Sequence, residues 1–369
     1  MIKNDCISFL KNLVAIASPY PDESKIGTYL EKILKQSGFS VKRQFVNNQR
    51  FNLLAKKGGG QKSILFYGHM DTVSLVNDEK WKTNPFELTE RDGKLYGLGA
   101  SDMKAGITAF IEATKNTNAY VKIFLAVDEE NISEGAWKAV QEKMAFFEDV
   151  ELVISAESSF NTGLNGVTVA RTGRCVYMVN FLGKPKHIIK YREAIDALEK
   201  LVKFGSDLYR ARNKMFASKD TVAQLRKVVG ESSGMSVCGE AQAEVEVLLG
   251  AEDKKEDVRE CLQKLTNDAV VIKQRKTPYL DGYSFKSFPH MELIARIIKV
   301  ATKKRMELHK RKSVGDDNVL ASLGIPVITW GPEGDNEHAP NEYVERKSLI
   351  TLVNMYKEFL DEIGNGDKK

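Results

Sequence analysis

The run Ile64-Leu65-Phe66-Tyr67-Gly68-His69-Met70-Asp71-Thr72-Val73 decides how this chain is read. Four apolar residues stop at a glycine, the pattern of a short strand buried on both faces. That strand delivers a histidine and an aspartate at its C-terminal end. In open α/β sheets such ends floor the ligand crevice. A His-x-Asp pair suits a metal, because the imidazole can ligate while a neighbouring carboxylate fixes its tautomer. Taken alone, the pair also describes a packed histidine beside a turn aspartate. Its meaning depends on what the other strand ends carry.

Three further apolar runs end in the same way. Val121 to Val127 runs into Asp128-Glu129-Glu130, and adjacent carboxylates at a buried strand tip repel one another unless exposure or cations relieve them. Leu152 to Ala156 ends at Glu157-Ser158-Ser159, and Ile325 to Trp330 leads into the loop Gly331 to Glu342, which contains His338. Asp102 comes from the glycine-rich stretch Gly97-Leu98-Gly99-Ala100-Ser101-Asp102-Met103-Lys104-Ala105-Gly106, just ahead of an apolar helix from Ile107 to Thr114, where an aspartate can equally serve as a cap. If the four strands share one parallel sheet, His69, Glu130, Glu157 and His338 meet Asp102 in a single crevice. Two histidines and three carboxylates suit one or two zinc ions, or manganese or cobalt. A carboxylate that bridges two metals about 3.5 Å apart fits hydrolytic chemistry.

The 369 residues are 42% hydrophobic and 28% charged, the composition of a globular chain long enough for two domains. The net charge of +5 is thinly spread and argues for neither nucleic-acid nor membrane partners. The basic segment His309-Lys310-Arg311-Lys312, after an amphipathic helix from Met291 to Lys304, lacks interleaved aromatics and reads as solvated surface. Cys6, Cys175, Cys238 and Cys261 are scattered, which excludes a short-spaced thiolate site and fits a reducing compartment. No signal-peptide core or membrane-length apolar run is present, so the expected location is cytoplasmic. Helices are expected over 4–17 and 22–37, and Val41 to Leu54 alternates like edge strands. Gly58-Gly59-Gly60 precedes a strand rather than opening a helix, so it reads as a turn and not a phosphate cradle. Between Gly173 and Tyr283 the texture changes. A β-rich run over 174–182, a helix from Arg192 to Tyr209, strands around 221–229 and 243–249 and a helix over 254–267 predict a separate α+β domain.

The motifs around His69, Asp102, Glu129-Glu130, Glu157 and His338-Ala339-Pro340-Asn341-Glu342 together resemble the co-catalytic zinc metallopeptidase family of acetylornithine deacetylase, succinyl-diaminopimelate desuccinylase, aminoacylase and glutamate carboxypeptidase. The similarity runs through nearly the whole chain in the same order. It implies an α/β catalytic domain with a mixed, mostly parallel sheet (residues 1–172 and 284–369) and an inserted α+β lid and dimerisation domain (173–283). It also implies two Zn2+, with Co2+ or Mn2+ as alternatives. His69, Asp102 and Glu157 would hold one ion, and Asp102, Glu130 and His338 the other. Asp71 would orient His69, Glu129 would be the general base, and the peptide after Asp102 would be cis. His187 would reach a neighbouring active site in a homodimer.

What the resemblance implies about activity is hydrolysis of the amide bond of an N-acylated amino acid by a metal-activated water. A metallo-carboxypeptidase or dipeptidase is the second reading, and a non-catalytic metal-binding dimer the third. The lid departs from the family pattern: Met235 and Leu248 stand where an Asn and an Arg grip a substrate carboxylate, which leaves the substrate open.

Overall fold

Ile64 to Tyr67 lie in the strand Ser63–His69, buried along its whole length, in the computed structural model, which describes residues 2–160, 162–266 and 269–366. The sheet around it runs in the order Ser40–Phe45, Phe51–Lys57, Val121–Ala126, Ser63–His69, Val150–Ser155, Val327–Thr329, Gly166–Arg171. Its middle is parallel: Ser63–His69 pairs with Val121–Ala126 on one side and Val150–Ser155 on the other, and Val327–Thr329 follows. Antiparallel strands flank this core, so the sheet is mixed. The parallel strands end at one level, with His69 opposite Ala126, and Tyr67 and Thr329 both opposite Ser155. The loops that leave those ends therefore begin side by side.

Period-two alternation sends Phe66 and Tyr67 to opposite faces of the sheet. Phe66 stacks on Phe110 and meets Tyr356 edge-on, which places the helices Ala105–Thr114 and Arg346–Gly366 on its face. Tyr67 packs beside Phe124, which contacts Phe147, and its hydroxyl reaches Asp316, so the segments around 147 and 316 cover the other face. A strand buried from both sides favours apolar residues along its middle, and each large apolar side chain so buried contributes about 1.5–3 kcal/mol.

Several expectations need correction. Phe51–Lys57 is not an edge strand. It lies between Ser40–Phe45 and Val121–Ala126, and its residues up to Ala55 are buried. Alternation in sequence does not reveal which side of a hairpin another strand will join. The 21-residue helix Arg346–Gly366 was not anticipated, although Leu349, Leu352, Val353, Tyr356, Phe359 and Leu360 have helical spacing and are buried.

By contact the chain forms two units, Met1–Val169 with Phe285–Lys310 and Gly315–Lys369, and Ala170–Ser284 with Arg311–Val314. The short return Arg311–Val314, expected with the first unit, belongs to the second because the Arg311 carbonyl accepts the Thr172 N–H (3.1 Å). The second unit has an antiparallel sheet in the order Val222–Gly230, Glu240–Leu249, Gly173–Leu182, Val270–Lys273, packed against the helices Ala197–Ala211 and Lys255–Lys264. The helix expected from Arg192 starts later, at Ala197, because Asp196 caps it by accepting the Leu198 N–H (2.9 Å). Residue 267, the last of the helix expected over 254–267, lies outside the described residues. Among the described residues no helix is long and apolar enough to cross a membrane.

Gly106 shows how tightly the first unit is closed. A Cβ there would stand 1.9 Å from the Ala156 carbonyl oxygen, so the helix after Asp102 touches the strand end before Glu157. Gly106→Ala, which in an exposed helix would stabilise, should here destabilise by about 1–3 kcal/mol in urea unfolding. An unchanged or raised midpoint would mean the two segments are not pressed together.

Candidate metal centre

His69 is buried at its strand end, with Nε2 2.9 Å from Asp102 Oδ1 and Nδ1 3.0 Å from the main-chain oxygen of Asp71. Asp102 reaches it from an irregular turn, Ala100–Lys104, entered through Gly99 at φ +74°. A side chain at Gly99 would strain that φ and run into Thr72, with Cβ 2.6 Å from Cγ2. Asp102 and Met103 leave helical geometry, and the Asp102–Met103 peptide is cis.

The third element is the turn after Val121–Ala126. It is not a helix start, since Asp128 has φ +74° and the next helix begins at Glu134. The Asp128 carboxylate accepts the N–H of Glu134 (2.9 Å), and Asp71 Oδ2 accepts the N–H of Glu130 (2.9 Å). These bonds hold half-buried Glu129 and Glu130 over the strand ends. From the opposite loop, half-exposed His338 places Nε2 3.0 Å from Glu130 Oε1 and 3.4 Å from Asp102 Oδ2.

Among the described residues, potential ligand atoms thus gather in two groups, His69 with Glu129 and Glu130, and Asp102 with Glu130 and His338, each within 4.8 Å. The Asp102 carboxylate lies between the histidines, one oxygen toward each. Charge in this space is unbalanced. Burial disfavours an imidazolium at His69, yet the hydrogen bond to Asp102 and the charges of Asp102, Glu129 and Asp71 hold its pKa well above the usual value. Hydrogen bonds to Asp102 and Glu130 push His338 up to about 11. Burial, reinforced by Glu157, Glu130 and Asp316, drives Glu129 well up despite His69. A nitrogen and oxygen donor set that demands this much positive charge fits divalent cations of the zinc, manganese or cobalt kind.

The remaining expected residues stand as follows. The Asp71 carboxylate comes within 3.7 Å of His69 Nδ1 through Oδ1, while its main-chain oxygen takes the ring contact and Oδ2 accepts the Glu130 N–H. Burial pushes the Asp71 carboxyl up to about 6. Glu157 is buried beside these residues and falls in neither ligand group. His187 belongs to the second unit, where it is exposed and its Nδ1 accepts the Ile189 N–H (3.3 Å) at the start of the short turn Ile188–Glu193.

Peptidase family M20/M25/M40 matches residues 65–362, which include every strand-end acid and histidine above. The chain belongs to this family. Its similarity to succinyl-diaminopimelate desuccinylase of Rickettsia felis is 24% identity over 97% of this chain and 99% of that one. The M20 fold is shared with aminopeptidase PepT of Bacillus cereus, at a TM-score of 0.80 and 20% identity, covering 98% of both chains. It is shared too with the YXEP protein of Bacillus subtilis, described as a dinuclear metal binding peptidase of the M20 family. There the TM-score is 0.70 at 14% identity, covering 99% of both.

In this M20 chain the acid-rich turn has a buried brace that no motif announced. Arg50 bonds Glu23 through Nε (2.8 Å) and a terminal nitrogen (2.6 Å), and Asp128 through that same nitrogen (3.1 Å). All three side chains are essentially inaccessible. Arg50 lies 78 positions from its partner Asp128, so only folding could reveal the pairing. Arg50→Met would leave two carboxylates buried without their cation and should cost about 3–5 kcal/mol in denaturant unfolding. A loss under about 1 kcal/mol would show the brace to be dispensable.

Proposed function

We propose that this chain is a dinuclear metal-dependent hydrolase that cleaves the amide bond of an N-acylated amino acid. One observation carries the reading: a single carboxylate, Asp102, lies between His69 and His338, with Glu129 in the first of the two ligand groups. A structural site needs no additional carboxylate of this kind beside it.

In this reading the ions are zinc: His69, Asp102 and Glu157 would hold one, and Asp102, Glu130 and His338 the other. Divalent ions bound there would acidify water and draw electron density from a carbonyl oxygen. Glu129 takes a proton from the attacking water at its carboxylate and returns it to the leaving nitrogen. Asp71 holds His69 and the Glu130 turn through its main-chain oxygen and carboxylate respectively. The second unit serves as lid and dimerisation domain, and His187 supplies an oxyanion donor across a homodimer. The acylated substrate follows the name of the desuccinylase relative, and a cytoplasmic setting accords with four cysteines that form no disulfide.

A panel of N-acetyl and N-succinyl amino acids and short peptides, offered to zinc-loaded protein, tests the reading. Hydrolysis of an acyl substrate should fall about 10²–10⁴-fold in Glu129→Gln while two zinc ions remain bound. Cleavage of peptides alone would reassign the chain as a carboxypeptidase or dipeptidase, and failure to bind zinc would overturn the scheme. His187→Ala should lower kcat by about 10²–10³-fold at unchanged metal content. Unchanged kcat would leave His187 as a surface histidine.

A further inference from the structure

The loop that presents His338 also reaches the other ligand-bearing turns. Glu337 Oε1 accepts two hydroxyl hydrogen bonds, from Ser101 (2.8 Å) and Ser158 (2.7 Å). Ser101 precedes Asp102, and Ser158 follows Glu157. One carboxylate oxygen therefore joins the turns of two candidate ligands and is adjacent in sequence to a third.

Glu342, four residues after His338, grips the Asp102 turn from within. It is buried, and it accepts main-chain N–H bonds from Gly99 at Oε2 (2.7 Å) and from Ser101 (2.8 Å) and Asp102 (2.9 Å) at Oε1. Its own carbonyl takes the N–H of Gly97 (3.0 Å). A small antiparallel sheet seats the loop, with Tyr343 opposite Tyr96 and Gly334 opposite Val344. Gly334 lies so close to the turn that a Cβ would stand 2.1 Å from Ser101 Oγ.

Three short hydrogen bonds thus run from the Asp102 turn to one buried carboxyl group. Peptide N–H groups aimed at one carboxylate cannot rotate without breaking them. Asp102 depends on that rigidity, because its two oxygens face different histidines and a small rotation removes one from reach.

We propose that Glu337 and Glu342 are positioning residues. Together they form a two-pronged clip that sets Asp102, Glu157 and His338 in register for a pair of divalent ions. The inference rests on the metal-hydrolase reading above. Neither residue touches reacting atoms, and each acts through the ligands it holds.

The test is calorimetric zinc titration of the metal-stripped full chain, read independently of turnover. Groups that orient ligands typically change metal affinity 10–100-fold. Glu337→Ala and Glu342→Gln should each weaken zinc binding by about that factor. Glu337→Gln, which keeps shape and an acceptor oxygen but loses the charge, should fall between wild type and Glu337→Ala. The double variant Ser101→Ala/Ser158→Ala should reproduce the Glu337→Ala loss, and adding Glu337→Ala to it should change little, since the same bonds are already gone. Circular dichroism checks folding. If buried Glu342→Gln does not fold, the Glu337 and serine variants decide. Wild-type affinity in folded Glu337→Ala overturns the clip, whatever Glu342→Gln does. A wild-type chain that binds two ions beside unaffected variants overturns the clip alone, whereas a wild-type chain that takes up no zinc overturns both readings.

Discussion

The Asp102 carboxylate shared between His69 and His338 is the contact on which the rest of the first unit depends. To place one oxygen toward each imidazole, the fold must bring a strand end, a glycine-rich turn and a distant loop to the same point. Parallel strands ending at one level make this possible. A crevice at strand C-termini is the expected place for such a site.

Concentrating acids in a partly buried space is costly, and the structure offsets the repulsion in layers. Glu23 and Asp128 share the Arg50 guanidinium at the base of the acid-rich turn, with Glu134 3.7 Å from its other terminal nitrogen, so the charge of Asp128 is partly offset from within. Tyr67 donates to Asp316 behind the strand, where burial pushes the Asp316 carboxyl up to about 7. The two histidines answer the innermost carboxylates. What remains uncompensated faces the ligand groups, which is where a cation would relieve it.

Chemistry, more than concavity, marks this centre. A groove of about 680 Å³ in the same unit, lined by Thr162, Asn165, Thr302, Glu333 and Tyr343 among others, contains none of the candidate ligand residues. The protein holds its donors by main-chain hydrogen bonds and close glycine contacts. Gly99, Gly106 and Gly334 each let backbone approach where any side chain would force the ligand turns apart.

The parallel core and the acids and histidines at its strand ends were legible in the sequence because they rest on local patterns. An apolar run such as Ile64 to Tyr67 states its burial on both faces, and an acid or histidine just beyond each run states what the strand end carries. The M20 family could be read from those motifs in order. Partnerships between residues far apart in the chain could not. Nothing near Arg50 announces Asp128, and nothing near Glu337 announces Ser101 and Ser158, since a hydrogen bond leaves no periodicity. The same holds for Asp71, whose carboxylate turns to the Glu130 N–H while its carbonyl takes the imidazole. Sequence by itself determined which groups are present and at which strand ends. Tertiary structure decided which oxygen faces which nitrogen, because that depends on ångström-scale approach between turns that only the packed sheet and its glycine contacts bring together.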